Sequence, residues 1–183
     1  MDALEFNCLY DEKVTSKLVQ LGFINKGHSL FHVTDDGILA LIRSSYRGLR
    51  LARFMLCFRH KFVKDLDGKE DNYYSINPND YPFKELPKEL LNLNLSKWHY
   101  EPRYVGMGYY YQELNYDIAN YGEIETELNI IYLAASQYGI AWMNMLSPEE
   151  ALRQLKKYNK KAVTEVDWIN DYNSYFMRSS KHI

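Results

Sequence analysis

His60 and His99 are the residues best suited to chemistry, since an imidazole titrates near neutrality and Asp65, Asp67, Glu70 and Asp71 lie between them as carboxylates that could orient a general base. A base must sit within hydrogen-bond reach of the proton it takes, and sequence separation does not fix that. No catalytic residue is assigned, and the chain reads as a non-enzyme. His28 and His32 stand four apart, but on a strand that spacing puts them two pleats apart on one face. The glutamate that would follow the first histidine in a helical zinc motif is replaced by Ser29. Cys8 and Cys57 are isolated from any ligand spacing. No metal or cofactor is called for.

Charge narrows the partners. With 22 basic and 24 acidic residues the net charge is −2, without the concentrated positive field that phosphate binding needs. Arg153, Lys156, Lys157, Lys160 and Lys161 cluster in one segment, but cations near a helix C-terminus are ordinary for a solvated face. Tyrosine is over-represented, at 17 residues. An amphipathic ring serves wet cores and contact surfaces alike. The stretch Tyr104 to Asp117 carries five of them. Its alternation sets Val105, Met107, Tyr109 and Tyr111 on a core face. The candidate partner-binding patch is Tyr104, Tyr110, Tyr116 and Tyr121, bordered by Glu113 and Asp117.

These groups must be held by a scaffold that the periodicity outlines. Val14, Leu18 and Leu21 predict a first helix closed by Gly22. A hairpin turning at Asp35-Asp36-Gly37 joins two strands, and a turn at Arg47-Gly48 leads to a third. There Leu51, Met55, Cys57 and the basic Arg53, Arg59 and Lys61 oppose Ala52, Phe54 and Phe58, predicting a sheet covered on one side and partly wet on the other. Residues 64–98 form a loop-rich excursion with a short helix near Lys88 to Leu93, pinned by Tyr73, Tyr74, Tyr81 and Phe83. A strand follows over Arg103 to Tyr111. Ile124, Leu128, Ile131 and Ala135 form one helical stripe, with Glu123 and Glu127 on another and Gly139 as the end. Ser147-Pro148-Glu149-Glu150 opens a further helix. Residues 162–183 form a C-terminal tail with one short helix. The whole is a single α+β domain over 1–183, with a mostly antiparallel sheet of about four or five strands and helices packed on one face.

The acidic N-terminus lacks the basic region and apolar run of a secretory leader. Polar residues interrupt the apolar segment from Leu128 to Leu146, which reads as buried helix rather than a membrane span. The expected location is cytoplasmic.

"GFINKGHSLFHV", "ALIRSSYRGLRLARFMLCF" and "LSPEEALRQL" together resemble a bacterial family known as domain of unknown function 4304. The likeness rests on Gly22-Phe23, the aromatic strand and the Ser45 to Gly48 turn. It covers Tyr10 to Phe62 and, more weakly, Glu123 to Leu155. It implies an α+β fold and supplies no catalytic residues. In style the chain is similar to immunity proteins, small tyrosine-rich domains that neutralise a cognate bacterial toxin by direct binding. The expected partner is therefore a protein, with neither membrane nor nucleic acid. The alternative is a small enzyme or nucleic-acid-associated regulator using the basic helix around Lys156.

Overall fold

The computed structural model describes residues 1–46, 48–84, 98–103, 107–157 and 163–180. Strands β1 (Ile24–Lys26), β2 (Ser29–Val33), β3 (Gly37–Ser45), β4 (Leu51–His60), β5 (His99–Glu101) and β6 (Tyr109–Asn115) form one antiparallel six-stranded sheet in the order β1-β2-β3-β4-β6-β5. Helices α1 (Ala3–Tyr10), α2 (Ser16–Gln20), α3 (Tyr121–Leu133), α4 (Ile140–Met145), α5 (Pro148–Lys157) and α6 (Val163–Ser179) accompany it. The α+β reading stands. Among the described residues, no helix is long and apolar enough to cross a membrane.

Strand parity builds two cores. Leu39, Leu41, Ala52, Phe54, Leu56 and Phe58 face the helices, where they meet Phe6, Tyr10, Ile124, Leu128, Ile131 and Trp142. Ile38, Ala40, Ile42, Met55 and Cys57 face the other way, onto Phe31 and Tyr81. The second face is drier than its basic residues predict. Arg59 is fully buried there, stacked over Tyr81 and donating to the carbonyls of Val63 and Asn72. The excursion is thus fastened by a buried cation as well as by its aromatics, of which Tyr81 and Phe83 are buried. Phe83 also enters the sheet by pairing with Phe58 in both directions (2.8 and 3.2 Å). The Tyr110 N–H donates to the Lys84 carbonyl (3.0 Å), so this segment fills the gap where β6 diverges from β4.

Several boundaries differ from expectation. The first helix starts at Ala3, capped by Asp2 in a reciprocal box with Glu5, and passes through a π-helical stretch (Asp11–Thr15) into α2. Gly22 closes it at φ +88°, as predicted, but Leu21 is exposed. Gly139 does not end α3. The chain continues through a π-helical stretch (Ala134–Gly139) into α4, and the glycine marks close passage over the sheet. A Cβ there would come 2.9 Å from Leu39 Cδ2 and 3.0 Å from Leu56 Cδ2. The expected tail is instead a helix of 17 residues, α6. The turn residue Arg47 and the short helix near Lys88 to Leu93 lie outside the described residues.

Candidate functional site

The predicted stripe Ile124, Leu128, Ile131 and Ala135 is fully buried and fixes how α3 lies on the sheet. Asn120 caps it, its side chain accepting from the Glu123 N–H (3.0 Å) while Glu123 accepts from the Asn120 N–H (3.1 Å). The five residues between β6 and α3, Tyr116 to Asn120, are therefore held at both ends. Tyr116 points inward, stacked on Phe6 with ring centroids 4.1 Å apart, and this corrects its place in the partner patch. The next residues point outward. Asp117 pairs with Arg50 (2.9 Å), Ile118 is 83 % exposed and Tyr121 is 57 % exposed. Leu4, 73 % exposed, adds an apolar side chain on α1 one turn before Cys8.

This ridge has a groove on either side, and Ala119 lines both. The first, about 590 Å³, lies against α1 and is lined by Met1, Glu5, Cys8, Glu12 and Tyr121. The second, about 490 Å³, runs between β6 and α3 over His99, Gln112, Leu114, Ile118, Glu123 and Glu127. Glutamates line both grooves, and among the described residues neither lining contains a lysine or arginine. Glu113, also in the second lining, is held by Arg53, whose Nε donates to it at 2.9 Å.

Both faces of the tyrosine strand pack against a core. β6 begins at Tyr109 rather than Arg103, and Tyr109 and Tyr111 pack half-buried against the second core, with the Arg53 guanidinium 4.3 Å from the Tyr111 ring. Met107 is in the main core, as predicted, and Tyr110 packs half-buried at the edge of that core rather than standing free of it. Gly108 leaves room for the Tyr100 ring, which a side chain there would overlap. Tyr104 and Val105 lie outside the described residues.

The histidines do not converge. His60 is buried in the wall of a cleft of about 510 Å³ whose lining also includes Asp36, Lys61, Phe62, Ser147 and Tyr175. A carbonyl only accepts, so Nε2 donates to Leu146 O (3.0 Å), and Nδ1 accepts from the Tyr172 hydroxyl (2.6 Å). Burial pushes its pKa down to about 4. Asp36 and Glu149 are the carboxylates that bear on it. Asp65 is occupied in a turn, accepting from the N–H groups of Asp67 (2.9 Å) and Lys69 (2.8 Å). His99 stands on β5 in the second groove, tilted against Tyr111. On the basic helix α5, Arg153 is held by Glu150 (2.7 Å), Lys156 and Lys157 are exposed, and Lys160 and Lys161 lie outside the described residues.

Of the residues expected in the partner patch, Asp117 and Tyr121 lie on this ridge and Glu113 in the second groove; Ile118, Gln112 and Glu127, which share the same region, were not singled out from the sequence. Ile118 had a readable signal, an isolated apolar residue between Asp117 and the helix cap. Glu127 had none, because Gln112, which donates to it (2.6 Å), comes from another element. No family model, curated protein or solved structure matches the chain.

Proposed function

We propose that this chain is a non-catalytic protein-binding protein, most concretely an immunity protein that neutralises a cognate bacterial toxin domain in the cytoplasm by covering it. The observation that carries the reading is the ridge of Ile118 and Tyr121, apolar and exposed between two glutamate-lined grooves. An apolar anchor within a polar rim is the usual anatomy of a protein interface. Covering a side chain the size of Ile118 is worth roughly 1.5–3 kcal/mol. The capping box and the Tyr116–Phe6 stack hold the ridge in place before any partner arrives, which lowers the entropy lost on binding. The His60 cleft does not favour an enzyme, since both ring nitrogens are engaged inside the protein.

The test is to sequence the genes that flank this one and to co-express the chain with any toxin domain they encode. Restored growth together with a stoichiometric complex on size exclusion supports the reading. Growth arrest without a complex refutes it.

A further inference from the structure

The chain's negative charge is gathered around the ridge. Residues 1–13 hold four carboxylates and one lysine, and residues 117–125 hold three carboxylates and no lysine or arginine. The two stretches share one face, since Met1, Glu5 and Glu12 line a groove with Ala119 and Tyr121, and Lys13 is shared between Glu12 (3.0 Å) and Glu125 (2.5 Å). Two arginines reach it as well. Arg50 pairs with Asp117, and Arg43 lies against the Phe6 and Tyr10 rings of α1. Set against these arginines, Lys13 and the Met1 amine, the seven carboxylates leave three in excess, more than the net −2 of the whole chain. Asp2, Glu5 and Glu123 are exposed and meet no lysine or arginine among the described residues. They accept backbone N–H groups alone, Asp2 from Leu4 and Glu5, Glu5 from Asp2, and Glu123 from Asn120. The two capping boxes therefore fix these charges in place without neutralising them.

Leu4, Ile118 and Tyr121 stand exposed among these charges. A partner that covers them also takes water from the carboxylates at their border, which is unfavourable unless positive charge replaces it. Lysine and arginine meet both needs, with an apolar stem beside the ridge and a cationic head at its rim. We propose that the protein partner meets this ridge with a basic amphipathic surface, its apolar side chains on Leu4, Ile118 and Tyr121 and its lysines or arginines against Asp2, Glu5 and Glu123. The inference rests on the protein-binding reading and adds the sign of the partner's charge.

A short amphipathic helical peptide of leucine and lysine tests it, compared with a twin carrying glutamate at every lysine and with a scrambled peptide whose leucines are spread around the helix. Two readouts on the full chain locate the contact. One is the NMR signal of the Leu4 and Ile118 methyls, and the other is the alkylation rate of Cys8, which is exposed in the groove while Cys57 is buried. The leucine–lysine peptide should shift the methyls saturably and protect Cys8. The glutamate twin should bind at least roughly tenfold weaker, and salt at about 1 M, which screens charges beyond about 3 Å, should weaken the lysine peptide to a similar degree. Ile118→Ala, and Glu5→Gln combined with Glu123→Gln, which keeps both capping boxes, should each weaken it several-fold. Equal binding by the glutamate twin, binding indifferent to salt, shifts confined to other surfaces, or no shift at all would overturn the proposal. Equal binding by the scrambled peptide would overturn it too, by assigning the contact to charge without the apolar ridge. Failure here leaves the toxin co-expression result untouched, so the two readings fail separately.

Discussion

The His60 cleft and the grooves beside Ile118 are of similar size, about 510 Å³ against about 590 and 490 Å³, yet their polar groups are in opposite states. In the cleft the most reactive side chain is spent on the fold, with one nitrogen on the α4–α5 connection at Leu146 and the other on α6 at Tyr172. In the β6–α3 groove an amide oxygen is left over, beside an isoleucine that the fold does not cover. The contrast teaches that cavity volume and residue type are poor guides to a site. Hydrogen-bonding capacity and apolar surface that the fold leaves unused are better ones.

The comparison breaks if the two regions respond alike to mutation. The largest effect belongs beneath the groove, where Leu128 turns the buried face of α3 to the sheet. Leu128→Ala should lower unfolding free energy by about 2–5 kcal/mol in denaturant titration. In the cleft, His60→Ala should cost roughly 3 kcal/mol, since it opens a void and strands both the Tyr172 hydroxyl and the Leu146 carbonyl.

Acid sharpens the same point. The buried ring stays neutral in the native state down to about 4, whereas the unfolded chain takes up the proton near 6.5. Its contribution is complete above pH 6.5 and declines as the pH falls to about 4, with no further loss below. The decline totals roughly 3 kcal/mol, and His60→Ala should remove it from the stability profile. Tyr172→Phe, which takes only the hydroxyl from Nδ1, should cost about 1–2 kcal/mol. On the ridge, Ile118→Ala and Tyr121→Ala should change stability by no more than about 0.5 kcal/mol.

What the sequence made legible follows the same division between local and distant causes. The Ile124 to Ala135 stripe, the Ser147 start of α5 and the Gly22 stop are written in neighbouring residues, and each was read correctly. Which strand face meets the helices was not legible, because Tyr109, Tyr110 and Tyr111 place the same amphipathic ring on both parities. The sheet's pairing with β4, Arg53 with Glu113 and Phe54 with Gln112, decides which ring faces the helices. Gly139 carried a true signal for close approach that was read as a helix end, since the approaching residues, Leu39 and Leu56, are distant in sequence. The ridge was half legible. The exposure of Tyr121 was expected from the sequence, while the orphaned Gln112 oxygen depends on how β6 meets α3.

The most direct test is calorimetric titration of the protein partner that co-purifies with the chain into four proteins, the wild type, Ile118→Ala, Tyr121→Ala and Tyr172→Phe, at a temperature where all are folded. The ridge variants should each lose at least about 2 kcal/mol of affinity, roughly thirtyfold, and Tyr172→Phe should bind like the wild type. Full-strength binding by both ridge variants, with binding lost only in the cleft variant, would contradict the account.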